Sequence, residues 1–331
     1  MEDVERRRKR RDPWRLMGRA TVSFVCVCFA QFALYLVSSF FFSYNIIILL
    51  FLSVMVLLGI AGLGRRCKRL FGLYGSAPAF VFANLLFIWC VYVVVIRQVV
   101  SSLLDMVVHA ELIMLLFGLH RILSGDPGFV NCEHPCHEKP GPLSNSETYL
   151  EGMGPPTSDL YEGCPLDKCS LLLQRVRYCK HCDAHVKGFD HHCPAFGNCI
   201  GQNNHLLFMV LLAGFIIIEA CYIVGASQIA TTSRTLDTSG GKQVGWTETL
   251  ATSTMIFSLL QVLWQAVFLA WHIYCVCFNI RTDEWIHWKK YPEFQHIIQP
   301  EPGEAVTVTR FKNPYDKGIW QNLKEFIEAR G

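Results

Sequence analysis

Long apolar stretches alternate with polar segments along the chain, and they predict membrane-spanning helices. A helix needs about 20 mostly apolar residues to cross a bilayer. Asp105, His109 and Glu111 make the fourth stretch the most polar; they either face the bundle interior, which we favour, or mark a functional polar site. The six stretches that meet or approach the required length are Ala20–Phe42, Ile46–Leu63, Ala79–Ile96, Leu103–Leu123, Leu206–Gln228 and Leu250–Phe278.

These spans predict an all-α polytopic membrane protein with six transmembrane helices, divided into five parts. We expect a basic N-terminal segment over 1–19, four spans within 20–123, a polar loop over 124–205, two spans within 206–278 and a C-terminal tail over 279–331. The first apolar stretch is too long for a secretory signal peptide and lacks a small-residue cleavage site.

The Lys and Arg residues concentrate in alternate polar segments. Eight precede residue 20, four lie in 64–78, six lie in 124–205 and eight follow residue 278, whereas the other three connections together hold three. Because basic residues stay on the cytoplasmic side of membranes, we expect both termini and the polar loop in the cytosol, where thiols remain reduced. Span length does not decide between the Golgi, other endomembranes and the plasma membrane.

The overall composition supports a membrane protein. Hydrophobic residues make up 52% of the chain and charged residues 17%, with a net charge of +3. A soluble domain usually has about a quarter of its residues charged, and a nucleic-acid-binding domain needs a stronger positive field. We therefore expect the lipid bilayer as a partner and no nucleic acid.

Cysteine and histidine cluster in the polar loop. The chain has 15 Cys and 12 His, of which eight Cys and seven His lie within 124–205. This clustering indicates metal binding rather than disulfides. Cys179 and Cys182 form a C-x-x-C pair, and His192 and Cys199 complete the four ligands of a structural zinc site.

Cys193 lies next to this predicted site without being needed as a ligand. A free thiol in a metal-held loop is suited to act as a nucleophile, with His191 as its base and Asp190 orienting the imidazole. Because adjacent residues do not meet in a helix or strand, we expect an irregular loop here. The alternative is that residues 190–193 are all metal ligands or surface residues.

These residues resemble the DHHC-type protein S-acyltransferases, a family of membrane palmitoyltransferases in which a subset has six spans. Besides the cysteine-rich core, which we place at about 164–205, three segments carry the resemblance: Asp126–Gly128, Arg281–Glu284 and Asn313–Phe326. The resemblance implies a small irregular or β-stranded zinc-binding domain on the cytosolic side of the helices.

The resemblance also implies an activity and roles for residues. A long-chain fatty acyl group, expected to be palmitoyl, would pass from acyl-CoA to membrane-proximal Cys residues of substrate proteins in a ping-pong reaction. Cys193 would carry the acyl group, His191 would be the base and Asp190 would orient it. Thr282 and Asn313 would support the site.

The sequence departs from the family pattern in three places. A second zinc site would use Cys164, Cys169 and His185, but Tyr178 stands where the family has a His ligand, so the occupancy of this site is left open. The segment before Cys199 reads PAFGN, which lacks the family's Trp, and Arg281 replaces the first Thr of a TTxE motif.

The acyl chain is expected to lie among the spans, because each buried CH₂ contributes about 0.8 kcal/mol. We expect Ile216, Ile217 and Ile218, midway along the fifth span, to cap it. Two alternatives to an enzyme remain. One is a zinc-stabilised membrane adaptor with weak or no activity; the other is a metal transporter, which is disfavoured because only one span has a cluster of ionisable residues.

Overall fold

The computed structural model describes residues 13–42, 44–72, 74–130, 175–236, 245–298 and 308–328. Within them, six helices are long and apolar enough to cross a membrane, which confirms the predicted architecture. The helices are α1 (Pro13–Phe40), α2 (Ile46–Phe71), α3 (Ala77–Val91, continued by a π-helical turn over Tyr92–Ile96), α4 (Ser102–Ser124), α5 (His205–Leu236) and α6 (Trp246–Cys277).

Local sequence signals set several helix ends. The side chain of Asn45 accepts a hydrogen bond from the backbone N of Ile48 at 3.0 Å, and Ser101 caps α4 in the same way through Leu104. Gly72, with a φ of +61°, follows the last residue of α2 in the left-handed conformation typical of helix C-termini. The helix α1 starts seven residues before the predicted span and α2 ends eight residues after it, since a helix can continue beyond the apolar segment.

The helices pack into a bundle whose outer surface is strongly apolar. Tyr92, Ile96 and Tyr222 are among the residues of a buried core between α3 and α5. Gly118 lets α4 approach α5 closely, because a Cβ at this position would lie 2.5 Å from Cδ2 of Leu211. Large apolar side chains remain exposed on the outer faces, as expected for helices surrounded by lipid.

Five short strands lie at one end of the bundle. The first three form an antiparallel sheet in the order β1-β3-β2, and the last two form an antiparallel pair. The side chain of Asn198 in β5 donates hydrogen bonds to the carbonyls of Ile122 and Gly125, both at 2.9 Å, which ties this pair to the end of α4. The strands are β1 (Phe129–Val130), β2 (Val176–Cys179), β3 (Ala184–Lys187), β4 (His191–Cys193) and β5 (Asn198–Ile200).

The segment after α6 packs against the same end of the bundle. It contains the short helix α7 (Thr282–His287), the strand pair β6 (Gln295–Ile298) and β7 (Val308–Phe311), and the helix α8 (Ile319–Glu328). The side chains of Asn322 and Asn313 donate hydrogen bonds to the carbonyls of Cys277 and Phe278, at 2.8 and 2.6 Å. These bonds satisfy backbone acceptors that the end of α6 leaves unpaired.

Candidate metal centre and active site

Four predicted metal ligands come together where β2, β4 and β5 meet. The ligand atoms of Cys179, Cys182, His192 and Cys199 all lie within 4.8 Å of one another. Nδ1 of His192 is 3.8, 3.4 and 3.6 Å from the sulfurs of Cys179, Cys182 and Cys199. The pairing of His192 with Cys199 across β4 and β5 brings the two later ligands to the earlier C-x-x-C pair.

This cluster fits a zinc ion. Zinc bonds of about 2.3 Å to sulfur and about 2.0 Å to nitrogen place tetrahedral ligands roughly 3.5–3.8 Å apart. Burial and neighbouring thiols raise the pKa of Cys199, and burial raises that of Cys182. Thiolates at these adjacent positions would therefore be stable only with a cation between them.

The second predicted zinc site remains a prediction. Cys164 and Cys169 lie outside the described residues. His185 lies in β3 opposite Tyr178 in β2, and their ring centroids are 5.2 Å apart. Among the residues that the structure describes, His185 belongs to no group of three or more metal-ligating side chains.

The two sides of β4 separate the metal cluster from the candidate nucleophile. Side chains alternate between the faces of a strand. His192 enters the metal cluster, whereas His191 and Cys193 both line a cavity on the other side. Our expectation of an irregular loop was wrong, because residues at i and i+2 of a strand share a face and can meet without one.

Asp190 is completely buried and holds the imidazole of His191. Its Oδ2 accepts a hydrogen bond from Nδ1 of His191 at 2.7 Å, and its Oδ1 accepts one from the backbone N of Thr282 at 2.9 Å. Burial alone would raise the pKa of Asp190, but the hydrogen bond from His191 and nearby histidine charges lower it. Thr282 thus contacts Asp190 through its backbone, while its hydroxyl accepts from Nε1 of Trp271 at 3.3 Å.

The same contacts decide the protonation of His191. Burial lowers the pKa of the imidazole, but the hydrogen bond to Asp190 and the charges of Asp190 and Cys193 outweigh burial and raise it to about 9. The raised pKa therefore favours His191 as the acceptor of a proton from the neighbouring thiol. A cationic imidazole next to a cysteine stabilises the thiolate.

The cavity next to Cys193 has a volume of about 460 Å³ and lies among α3, α5 and α6. Its walls are mostly apolar and include Phe208, Leu212 and Phe215 of α5. Ile216, Ile217 and Ile218 do not line it. The expectation that they cap the acyl chain stays a prediction; Ile218 is buried in a side-chain cluster and Ile217 is 47% exposed.

Sequence reasoning missed a buried histidine beside the site. His272 of α6 has no exposed surface, and its Nδ1 lies 3.9 Å from Oδ2 of Asp190. Its ring centroid is 5.7 Å from that of His191 and 4.8 Å from that of Phe208. The available signal was the position of His272, a titratable side chain close to the end of an apolar span.

A buried ion pair that the sequence did not reveal connects the strands to the chain after α6. Nε of Arg175 donates to Oε1 of Glu284 at 2.8 Å, and its guanidinium lies over the ring of Tyr315 at 4.3 Å. Glu284 also accepts from the backbone N of Arg281 at 2.9 Å. Asn313 lies farther from the reacting groups. Its side chain donates a hydrogen bond to the carbonyl of Phe278, just after α6, and accepts one from the backbone N of Tyr315.

Comparison with known proteins agrees with this geometry. Residues 164–289 match the model of the DHHC palmitoyltransferase family. Palmitoyltransferase ZDHHC17 of Mus musculus is 30% identical over 164 residues, which cover 47% of this chain and 24% of the relative. Palmitoyltransferase ZDHHC12 of Homo sapiens is 29% identical over 206 residues, which cover 61% of this chain and 66% of the relative.

Palmitoyltransferase Hip14 of Drosophila melanogaster is 28% identical over 210 residues, which cover 62% of this chain and 30% of the relative. The chain thus spans only about a quarter of the length of the ZDHHC17 relatives that it matches. The matched region contains the metal cluster, β4 and the Asp190 contacts with Thr282. Residues 164–289 thus form a domain of the DHHC palmitoyltransferase family.

Proposed function

We propose that this protein is a protein S-acyltransferase that moves a long-chain fatty acyl group, palmitoyl by expectation, from acyl-CoA to cysteine thiols of membrane-proximal proteins. The observation that carries the proposal is the arrangement on β4. His191, oriented by Asp190, shares with Cys193 a strand face that opens onto an apolar cavity, while His192 belongs to the metal cluster.

In the first half-reaction, His191 accepts the thiol proton of Cys193, as its raised pKa favours. The thiolate attacks the carbonyl carbon of the acyl-CoA thioester. A new C–S bond to Cys193 forms and the C–S bond to CoA breaks. The CoA sulfur leaves with the proton from His191, so atoms and electrons balance and covalent catalysis leaves an acyl-enzyme.

In the second half-reaction, a substrate cysteine replaces CoA. His191 accepts its proton, the substrate sulfur attacks the thioester carbonyl, and Cys193 leaves and recovers a proton from His191. One thioester replaces another at each step, so the reaction needs no further energy source. Asp190 keeps its charge throughout and stabilises the imidazolium form of His191.

The surrounding elements support acyl-chain binding and a defined orientation. The apolar cavity lies among membrane-spanning helices, where each buried CH₂ contributes about 0.8 kcal/mol. We propose that the strands and both termini face the cytosol, on the basis of the Lys and Arg distribution. The proposed membrane is an endomembrane such as the Golgi, or the plasma membrane.

Cys179, Cys182, His192 and Cys199 would hold a structural zinc ion. Bound there, zinc would cross-link β2, β4 and β5 and supply folding stability. The chain's own residues bind the acyl chain, move the proton and carry the acyl group.

Acyl labelling tests the proposal. Purified protein is incubated with an alkyne-bearing palmitoyl-CoA analogue, and the hydroxylamine-sensitive label is measured in wild type and in Cys193→Ser. We expect label in the wild type and none in the variant. An absence of label in well-folded wild type would overturn the proposal and favour the adaptor.

A further inference from the structure

His272 of α6 lies beside the reacting groups without a hydrogen bond of its own. The residue has no exposed surface, and neither Nδ1 nor Nε2 has a hydrogen-bond partner among the described residues. Burying an imidazole N–H without an acceptor is unfavourable, because the group gives up its bond to water and gains none in return. An apolar ring would fill this position at lower cost unless an acceptor comes within reach of the N–H.

The carboxylate of Asp190 can be this acceptor. Its Oδ1 accepts a hydrogen bond from the backbone N of Thr282 at 2.9 Å, and its Oδ2 accepts one from Nδ1 of His191 at 2.7 Å. A carboxylate oxygen can accept two hydrogen bonds, so Oδ2 can take a second donor. Nδ1 of His272 lies 3.9 Å from this oxygen. A shift of about 1 Å therefore brings the two atoms to hydrogen-bond distance.

Two aromatic rings connect His272 with the apolar cavity. The ring centroids of Phe208 and Phe268 lie 4.8 and 4.7 Å from that of His272. Both phenyl rings also line the cavity next to Cys193. An acyl chain in the cavity packs against these rings, which in turn press on the imidazole. Catalytic hydrogen bonds are often long in the free enzyme and shorten when substrate binds.

A hydrogen bond from His272 would improve the orientation of His191. With one donor on each oxygen, the carboxylate of Asp190 can still tilt about its side-chain bonds. A third donor, reaching Oδ2 from α6, restricts this movement and so keeps the imidazole of His191 in place beside Cys193. Small errors in the placement of reacting groups are costly in rate, so a donor of this kind accelerates the reaction without touching the acyl group.

We propose that His272 is a positioning residue of acyl transfer: with the cavity occupied, its Nδ1–H donates a hydrogen bond to Oδ2 of Asp190 and fixes the carboxylate that orients His191. This inference rests on the proposed function and adds a residue to it. His272 is not among the residues that line the cavity, so it acts through Asp190 rather than on the acyl group.

Two substitutions separate the donor from the ring. His272→Asn keeps a donor, because the amide nitrogen of Asn lies as many bonds from Cα as Nδ1 of His does, but it fills less space. His272→Phe keeps an aromatic ring and removes the donor. A packing role therefore favours Phe and a donor role favours Asn. The rate of acyl labelling is measured in single turnovers at saturating palmitoyl-CoA. His120→Phe, the same change at an exposed position of α4, is the control.

We expect His272→Phe to lower the labelling rate about tenfold, and His272→Asn to stay within about threefold of wild type, because only the first variant loses a hydrogen bond to a charged group. The control keeps the wild-type rate, and all variants keep the wild-type zinc content. A rate of His272→Phe equal to that of wild type, or a rate of His272→Asn no higher than that of His272→Phe, would overturn the positioning role and leave acyl transfer standing. Absence of label in wild type overturns both.

A double-mutant cycle shows whether His272 acts through Asp190. Adding His272→Phe to Asp190→Asn should change the rate by less than about twofold, because both substitutions disrupt the same contact. A further tenfold loss would place the effect elsewhere and overturn the proposal. If His272→Phe does not fold, a structure of the wild-type acyl-enzyme decides. A distance of about 3 Å between Nδ1 of His272 and Oδ2 of Asp190 supports the proposal, and a distance that stays at 3.9 Å overturns it.

Discussion

The two sides of β4 use the same residue types for different purposes. On one side, His192 lies among three cysteine sulfurs at 3.4–3.8 Å. On the other, His191 and Cys193 lie beside a fully buried carboxylate and an apolar cavity. The number of thiols around each histidine separates a metal ligand from a candidate base.

This difference explains why neighbouring residues in one short motif can have unrelated roles. The metal side brings ligands from three strands, so binding a cation there fixes the geometry of β4. The cavity side has one thiol, and the strand holds it at a fixed distance from His191. We propose that the metal side stabilises the strands and that the cavity side is left free to react.

The largest expected effect comes from breaking the metal side. Cys182→Ser removes one of the four ligands, and we expect it to lose bound zinc and to reduce acyl label to background, because β2, β4 and β5 lose their cross-link. Metal analysis and acyl labelling measure both results. Cys90→Ser changes an exposed cysteine on α3 and serves as the control. Full acyl labelling in a variant that has lost its zinc would contradict the expectation that the metal side supports the reaction on the cavity side.

Removing the nucleophile should affect only the cavity side. Cys193→Ser is expected to abolish acyl label while keeping the zinc content of wild type. X-ray absorption at the zinc edge should report three sulfur ligands and one nitrogen ligand in both proteins. A lower sulfur count in the variant would mean that Cys193 binds the metal, contrary to the assignment.

A smaller loss is expected when the orientation of His191 is disturbed. Asp190→Asn keeps the size of the side chain but removes the charge that stabilises the imidazolium form. We expect the acylation rate to fall by about 10²- to 10⁴-fold, with zinc content unchanged. Single-turnover labelling measures the rate. An unchanged rate would show that Asp190 is structural only.

The smallest activity effect is expected from the ion pair behind the site. Glu284→Gln leaves the half of the pair contributed by Arg175 uncompensated, and breaking a buried pair costs about 3–5 kcal/mol. Thermal unfolding should occur at a lower temperature, with a smaller loss of labelling than in Asp190→Asn. Glu325→Gln, which breaks the exposed pair with Lys317, is the matched control. Equal stability of both variants would contradict the importance of the buried pair.

The sequence predicts the membrane helices and the clustering of Cys179, Cys182, His192 and Cys199 well, because both depend on local patterns. A span is recognised by its length and a ligand set by residue type and spacing. The sequence does not predict features that depend on rotation or on distant contacts. Ile216–Ile218 do not line the cavity, whereas Leu212 and Phe215, one and two helical turns after Phe208, do.

Contacts between distant segments were also beyond the sequence. His272 approaches Asp190 from a helix 82 positions later, and Arg175 reaches Glu284 across 109 positions. No local pattern links such pairs. The expectation of an irregular loop failed for a different reason, since the two-residue period of a strand already brings His191 and Cys193 to one face.

The most direct test is to locate the acyl group on the protein itself. Wild-type protein is given palmitoyl-CoA without a protein substrate, digested under acidic conditions and analysed by peptide mass spectrometry. We predict an acyl mass on the peptide position of Cys193 and none on Cys179, Cys182 or Cys199. An acyl group on any of these three cysteines, or none on Cys193, would contradict the assignment of the two sides of β4.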